Sequence, residues 1–188
     1  KTVPYTVRYV DPDRKDLIEP KVVSDNTYSV VTETYVPIEN YTPRLFQITK
    51  ELSWTDTENN VIIFIYDPNL TDLTIQKTGC DETIDENQSF IFHVKGKDEK
   101  TKDVEVTILG NGKVTVKDLP VGLYEITEEQ TWSWRYTTTN VYHPTLNVDA
   151  SQNVFTFNNS RTTPGLWLNG CSWAVNKWGG NATFSPSN

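Results

Sequence analysis

Reactive and metal-binding side chains are scarce in this chain of 188 residues, which holds only two histidines and two cysteines. His93 and His143 are scattered relative to Cys80 and Cys171, and the four residues form none of the spacings of a zinc site. We therefore expect no metal and no cofactor. Two thiols do not make a disulfide framework either, so the cysteines are unlinked or form one Cys80–Cys171 bridge.

Positively charged residues and long apolar runs are also scarce. The 17 lysines and arginines against 25 aspartates and glutamates give a formal net charge of -8, which disfavours nucleic acids and anionic lipids as partners. No apolar run approaches the length that spans a membrane, so we expect no membrane contact. We also expect a monomer. Because residues 3–9 open the chain within a strand-like alternation, we expect it to be a piece of a longer protein.

Motifs that mark enzymes or ion-binding loops are missing as well. No Ser-His-Asp arrangement can be placed. No helix pattern follows Gly110-Asn111-Gly112, which therefore indicates a turn rather than a phosphate loop. Asp11, Asp13 and Asp16 lack the glycine and the closing glutamate of an EF-hand loop, and solvated charges near a turn are the simpler interpretation. We expect no enzyme that acts on an outside substrate.

What the chain does contain is a period-two pattern of β-branched and aromatic residues. Aromatic residues make up 12% of the chain, which argues against disorder because large aromatic side chains supply buried area. There is no convincing amphipathic helix. The pattern predicts a fold dominated by β-strands, in three parts: residues 1–68, 69–161 and 162–188.

The first part alternates strand and turn. An alternating strand at 2–10 is followed by extended stretches at 21–23 and 28–34, and the part closes with the apolar run 61–66. A continuous apolar run is typical of a central strand buried on both faces. Asp67-Pro68-Asn69 then interrupts the pattern and predicts a domain boundary.

The second part has several short strands at regular spacing, which is typical of a β-sandwich. Asn111 and its flanking glycines predict a tight hairpin, since an Asn-Gly pair supplies the positive φ angles of such a turn. The predicted strands cover approximately residues 73–77, 90–95, 103–109, 113–117, 122–128, 144–148 and 153–159.

The last part, residues 162–188, combines structure-breaking Pro and Gly pairs with Trp167, Trp173 and Trp178. Polar linkers seldom contain three tryptophans, so we expect this tail to pack on the sandwich. Trp132 and Trp134 are candidate partners, because aromatic pairs offer a large contact area.

Three polar residues lie where the alternation of a strand predicts an apolar one. Lys77, Glu128 and Asn159 each follow two apolar residues spaced by two, and side chains at i, i+2 and i+4 share a face. All three are therefore expected to point toward the core. Each also ends its predicted strand, where side chains often reach water, and the residues alone leave both interpretations open. The apolar predecessors are Leu73 and Ile75, Tyr124 and Ile126, and Phe155 and Phe157.

An amine, a carboxyl and a carboxamide in one core can react to form an amide. Burial lowers the pKa of a lysine, so a buried Lys77 has a lone pair that can attack the side-chain carbonyl of Asn159. A protonated Glu128 can hydrogen-bond the carboxamide and relay protons as ammonia leaves. The product replaces a buried cation, which is costly, by a neutral amide.

The second part resembles the Cna B-type domains, also called SpaA-like pilin or prealbumin-like domains, of Gram-positive surface proteins. The resemblance implies a transthyretin-like β-sandwich with an intramolecular isopeptide bond. On the family's motifs, the crosslinking lysine is Lys77, the catalytic glutamate is Glu128 and the acceptor is Asn159. The neighbours Glu125, Glu129 and Asn158 do not match. The matching segments are LTIQKTG, FIFHV, GNGKVTVKDLPVGLYEITEE and FTFNNSR.

The first part resembles a MucBP-like repeat, which implies a β-grasp module. The matching segments are YTVRYVDPDRKDLIEP, ENYTP and VIIFIYD. The chain departs from that family at Arg14, where the repeats usually have glycine, and at Asp25, where a second glycine is usual. The family name implies mucin binding, although many such repeats are spacers.

Together the resemblances imply a structural and adhesive module of an extracellular, cell-surface or secreted protein, with self-crosslinking as its only catalysis. The alternative is an adhesin domain that binds a host glycan, a mucin or an extracellular protein through the first part or the Trp-rich tail. An exposed aromatic platform at Trp167, Trp173 or Trp178 would favour the alternative.

Overall fold

The computed structural model describes residues 1–162 except 84, 86, 133 and 134. The chain divides into two compact units, residues 1–70 and the residues from 71 onward. The described residues form 14 strands and two short 3-10 turns, so the prediction of an all-β fold is confirmed. Within the described part of the chain, no helix is long and apolar enough to cross a membrane.

The first unit is built around two parallel strands. Its main sheet has the order β2-β1-β6-β4, in which β1 and β6, the first and last strands of the unit, pair in parallel at the centre. This arrangement is β-grasp-like, as predicted, and β3 and β5 form a separate antiparallel ribbon. The strands are β1 (Tyr5–Val10), β2 (Lys21–Val23), β3 (Val30–Thr34), β4 (Tyr41–Pro43), β5 (Gln47–Glu51) and β6 (Val61–Pro68).

The apolar run in β6 is buried more on one face than on the other. Ile62, Phe64 and Tyr66 are fully buried, whereas Ile63 and Ile65 on the opposite face are half-buried. The prediction of a strand buried on both faces was therefore only half right. The strand is central in its sheet, but only one face is fully covered.

Arg14 lies in the turn after β1 with a φ of 72°, in the left-handed region that favours glycine. Its backbone N–H donates to the carbonyl oxygen of Asp11, and the carbonyl oxygen of Lys15 accepts from Asp11 N. The backbone thus adopts here the conformation that a glycine would favour, with arginine in that position.

The second unit is a sandwich of two three-stranded sheets, with orders β10-β7-β13 and β11-β8-β9. Strands β7 and β13 are parallel, and β8 pairs antiparallel with both of its neighbours. The transthyretin-like sandwich predicted for this part is confirmed at the level of fold class. The strands are β7 (Leu70–Thr78), β8 (Ser89–Gly96), β9 (Val104–Leu109), β10 (Gly112–Pro120), β11 (Tyr124–Glu128), β12 (Tyr136–Thr137), β13 (Val154–Asn158) and β14 (Ser160–Arg161).

Alternate residues of the two sheets form one core. The alternation puts every second side chain of most strands on the inner face, where apolar burial drives packing. In β10 the buried Val116 and Leu119 are three residues apart, on either side of the positive φ of Asp118. From the first sheet come Leu73, Ile75, Val116, Leu119 and Phe157, and from the second come Phe90, Phe92, Val94, Ile108, Tyr124 and Ile126.

Two local predictions for this unit were wrong. The turn at Gly110 does not close a hairpin, because β9 and β10 belong to different sheets, and only Gly110 of that turn has a positive φ. Asn111 instead turns its side chain toward Cys80, accepting from Cys80 N and donating to Cys80 O. Residues 144–148 form no strand; Thr145 makes one isolated bridge, to Leu123.

Candidate functional site

Lys77 lies near the end of β7 on the inner face of the sandwich. Its side chain is among the largest fully buried ones, with 1% exposure. Its Nζ donates to the carbonyl oxygen of Thr78 over 2.6 Å and lies 3.9 Å from the centre of the Phe90 ring. The amine is therefore held by one carbonyl and one aromatic face within the core.

Burial governs the protonation of this amine. Loss of water around Lys77 lowers its pKa below the ordinary value, and the attraction of Glu128 opposes that shift without cancelling it. The neutral amine, which is the nucleophilic form, is therefore more populated than for a lysine in water.

Glu128 ends β11 and lies opposite Phe92 of β8. Its side chain is 7% exposed, so a carboxyl group also occupies this core. Oε1 accepts two hydrogen bonds, from Asn159 Nδ2 over 2.7 Å and from Gln130 Nε2 over 2.9 Å. The carboxyl group is thereby in direct contact with the nitrogen that would leave as ammonia.

Asn159 lies between β13 and β14 and is 3% exposed. Its Oδ1 is buried and has no hydrogen-bond partner among the described residues. A buried polar atom without a partner costs about 1–3 kcal/mol and calls for an explanation. Asn158, by contrast, is exposed, so burial distinguishes the two neighbouring asparagines as the motif does.

The parallel pairing of β7 and β13 brings the amine and the carboxamide together. In the register, Lys77 lies opposite Phe157 and Thr78 lies opposite Asn158. The carbonyl oxygen of Thr78 accepts two hydrogen bonds, from Lys77 Nζ over 2.6 Å and from the backbone N–H of Asn159 over 3.1 Å. The structure thus gathers all three polar residues predicted on inner faces at one end of the sandwich.

Gly79 allows the two chain segments to approach at this end. It has a φ of 86°, and a Cβ added there would overlap the backbone carbonyl oxygen of Asn159. No role was predicted for Gly79, although the glycine directly follows the lysine-threonine pair in the LTIQKTG motif. Glycine is required here both by the left-handed backbone and by space.

A buried ion-pair cluster holds the segment that follows the acceptor. Asp85, whose side chain is 4% exposed, accepts from Arg161 Nε over 3.0 Å, from Arg135 Nη1 over 2.6 Å and from the Tyr136 hydroxyl over 2.8 Å. Burial opposes ionisation of Asp85, but the bonds from Tyr136 and Arg161 outweigh it, so its pKa is lowered. The sequence pattern did not predict this cluster, because its members are far apart along the chain.

Of the remaining candidate residues, Cys80 lies beside the ion-pair cluster. It is buried, with Sγ 3.8 Å from the Tyr136 hydroxyl. Cys171 lies outside the described residues, so the Cys80–Cys171 bridge stays a prediction. Trp132 is exposed and donates to Ser89 Oγ. Trp134, the other candidate partner of the tail, lies outside the described residues, as do the tail tryptophans Trp167, Trp173 and Trp178.

Both histidines lie beside carboxyl groups. His93 faces Glu105 and Glu129 at 3.3 and 3.4 Å, and His143 faces Glu125 at 3.7 Å. Within the described ranges, no group of three His, Cys, Asp or Glu side chains is placed to hold a metal ion.

Comparison with known proteins gives a fold but no family. No family model and no curated protein matches the chain. It is similar to the Bacillus anthracis TIE protein, with a TM-score of 0.54 and 10% identity over 85% of this chain and 34% of that one. This likeness shows a shared fold alone.

Two further solved structures have lower scores. A Streptococcal ancillary pilin has a TM-score of 0.41 and 16% identity, over 86% of this chain and 63% of the pilin. A single B repeat unit of the collagen-binding surface protein Cna of Staphylococcus aureus has a TM-score of 0.35 and 13% identity, over 87% of this chain and 100% of the repeat. The chain thus spans about a third of the TIE protein and under two thirds of the pilin.

Proposed function

We propose that the second unit is a structural module that crosslinks itself through an isopeptide bond between Lys77 and Asn159, with Glu128 as the proton relay. The single observation that carries the proposal is the buried hydrogen bond of 2.7 Å between Asn159 Nδ2 and Glu128 Oε1, beside a buried lysine amine. As independent residues, the three would each be a costly occupant of an apolar core.

The reaction is a balanced amide exchange. The neutral Nζ of Lys77 attacks Cγ of Asn159, and a bond between Nζ and Cγ forms. Glu128 accepts a proton from the attacking nitrogen and passes one to Nδ2, which its Oε1 already contacts. The bond between Cγ and Nδ2 breaks, and ammonia leaves. No oxidant, metal or cofactor takes part.

The bond would change the stability of the module more than any single contact. It closes a loop of about 80 residues, which the chain-entropy model values at about 4–5 kcal/mol before any strain. It also removes a titratable amine from the core, because the amide product is neutral.

Intact mass tests the proposal directly. The denatured, reduced wild-type chain should be lighter than its sequence mass by one ammonia. Glu128→Ala and Asn159→Ala should have full sequence mass, because the relay or the acceptor is missing. The neighbouring residues provide matched controls: Glu125→Ala, at a half-buried residue, and Asn158→Ala, at an exposed one, should still lose ammonia. Full mass in the wild type would refute the crosslink.

The wider role that we propose is that of a stabilised spacer in an extracellular, cell-surface or secreted protein with adhesive function. The motifs that resemble those of Cna B-type domains of Gram-positive surface proteins support this role, and the fold shared with the TIE protein is compatible with it. The likeness of the first unit to a MucBP-like repeat stays a prediction from sequence. Self-crosslinking would be a single turnover, so the module would not be an enzyme in the ordinary sense.

A second candidate function, binding of a host protein or glycan by the first unit, is favoured by one surface cluster. Leu45 and Phe46 are 57% and 63% exposed, and the Phe46 ring packs edge-on against Tyr35 at 5.2 Å between centres. Exposed apolar clusters often mark interaction sites. The test is binding of mucin or matrix protein by Phe46→Ser and by Val22→Ser, a change at an exposed residue of β2. Loss of binding in Phe46→Ser alone would support this function, whereas equal binding by both variants would oppose it.

A further inference from the structure

The turn that follows β11 carries a side chain that makes a second contact with the proposed proton relay. Gln130 lies two residues after Glu128 and is half-buried. Its Nε2 donates to Glu128 Oε1 over 2.9 Å, and the same oxygen accepts Asn159 Nδ2 over 2.7 Å. One oxygen of the carboxyl group is therefore held by two N–H donors at once.

The other end of the glutamine amide is also bound. Gln130 Oε1 accepts the backbone N–H of Thr138 over 3.2 Å. A glutamine side chain has several rotatable bonds and loses rotamer freedom when it is ordered, so a bond at each end of the amide defines where Nε2 lies. The side chain thus links the carboxyl group of Glu128 to the segment after β12.

That segment in turn holds the backbone of the residue before the acceptor. The Thr138 hydroxyl donates to the carbonyl oxygen of Asn158 over 3.1 Å, and Asn158 N donates to Asn140 Oδ1 over 2.9 Å. Both backbone polar groups of Asn158 are therefore bound by residues 138–140. The contacts close a ring that runs from the carboxyl group through the glutamine amide and this segment to the acceptor Asn159.

We propose that Gln130 is a positioning residue for the crosslinking reaction, an inference that rests on the proposed function. The last torsion of a glutamate side chain is broad, so Glu128 alone would not keep one oxygen on the leaving nitrogen. Gln130 keeps Oε1 on Asn159 Nδ2 and holds both in register with the chain that presents the carboxamide.

The rate of ammonia loss in the full chain tests this role. The chain would be made in a short cell-free translation pulse at low temperature, and its intact mass followed during a chase. Gln130→Ala removes the donor, and Gln130→Glu replaces it by an acceptor of the same shape. Gln152, whose Nε2 donates to Asp149 on an exposed turn, provides the matched controls Gln152→Ala and Gln152→Glu.

We expect both Gln130 variants to lose ammonia about tenfold more slowly than wild type, the effect of one hydrogen bond to an ionisable group. Gln130→Glu should be at least as slow as Gln130→Ala, because it keeps the shape of the side chain but offers no amide N–H to Glu128 Oε1. The two Gln152 variants should match wild type in rate.

The outcomes separate this inference from the proposed function. If wild type never loses ammonia, the crosslink itself is refuted. If wild type loses it and both Gln130 variants match wild type, the crosslink stands and the role of Gln130 is refuted. A slow Gln130→Ala together with a Gln130→Glu that matches wild type would mean that the shape of the side chain matters rather than its N–H donor, and would also overturn the proposal. Should Gln130→Ala fail to fold, the isosteric Gln130→Glu decides.

Discussion

At the scale of single residues, the site is a set of polar groups placed where apolar side chains would stabilise the sandwich better. Lys77 occupies space between the two sheets that a leucine or methionine could fill. Asn159 buries a carbonyl oxygen without a hydrogen-bond partner among the described residues. Such arrangements cost stability before any reaction, and formation of an amide would relieve part of that cost.

The amine gives the first prediction, for a chain that cannot crosslink. In Asn159→Ala, Lys77 keeps its lowered pKa when folded and returns to about 10.5 when unfolded. Between these two values the unfolded state binds more protons, so the free energy of unfolding should rise with pH, by at most about 1.4 kcal/mol per unit. Chemical denaturation at a series of pH values would measure the slope.

The matched reference is the double variant Asn159→Ala with Lys77→Met, which lacks the amine. The free energy of unfolding of Asn159→Ala minus that of the double variant should increase with pH up to the ordinary pKa of lysine and then level off. A difference that stays flat, or that falls as the pH rises, would contradict a lysine whose pKa is lowered by burial.

At the scale of strands and turns, the site depends on how closely the end of β7 approaches the end of β13. The two strands are parallel, so their carboxyl ends meet at the same edge of the sheet. Gly79 turns the chain away immediately after this edge with a positive φ. The turn and the crosslinking site are therefore one structural feature.

The second prediction follows from that turn. Gly79→Ala puts a Cβ into the backbone carbonyl of Asn159 and into a left-handed conformation, so we expect a loss of roughly 2–4 kcal/mol of stability. Thermal or chemical unfolding in the Asn159→Ala background would measure it without the crosslink.

Gly112 is the matched control for Gly79. A Cβ at Gly112 would meet only Ile108, at an ordinary distance of 3.6 Å, so Gly112→Ala should change stability by no more than about 1 kcal/mol. Equal losses of stability in the two variants would mean that the close approach of Gly79 to Asn159 does not restrict position 79 to glycine.

At the scale of the whole molecule, the crosslink would determine how force passes through the second unit. β7 is the first strand of this unit and β13 is its last long strand, and Lys77 and Asn159 lie at their adjacent ends. A pull on the two ends of the chain would travel along β7, cross the amide and leave after Asn159. The residues between the two would carry no load.

The third prediction is a difference in extension when single molecules are pulled from the two ends. The wild type should not release the roughly 30 nm of contour length held between Lys77 and Asn159, which is about 80 residues at up to 3.6 Å each. Lys77→Met should release it. The first unit, which the crosslink does not include, should extend in both proteins and serves as the internal reference.

A wild-type trace that also releases this length would contradict the crosslink, even if the static stability of the module were high. A Lys77→Met trace that lacks the release would show that another constraint protects the second unit. Intact mass of the same preparation tells the two results apart, because only a crosslinked chain lacks one ammonia.

Local alternation in the amino-acid sequence was enough to predict the properties that depend on neighbouring residues. Side chains two residues apart share a face, so the alternation put Lys77, Glu128 and Asn159 at inner-face positions, while the family motifs were needed to favour burial over a solvated strand end. The same period predicted an all-β fold and most of the longer strands. Family motifs then chose Asn159 over its neighbour Asn158, and the burial of the two side chains agrees with that choice.

Features that depend on strands far apart in the chain required the three-dimensional packing. The turn at Gly110 has the composition of a hairpin, yet it leads from one sheet to the other, because strand order is set by packing of the whole core. The short strands β4, β12 and β14 have too few residues for a period to be recognised. Long-range pairing is not encoded in any window of neighbouring residues.

The site shows the same division. Alternation placed three polar groups on inner faces but left open whether each was a solvated strand end. The opposing sheet covers them, and the register of β7 against β13 puts one Thr78 carbonyl between Lys77 and Asn159. Gln130 could not be assigned from sequence, because its contact with Glu128 depends on how the turn after β11 folds back over the core. Side-chain direction is a local property, whereas which groups touch is settled by the packing of both sheets.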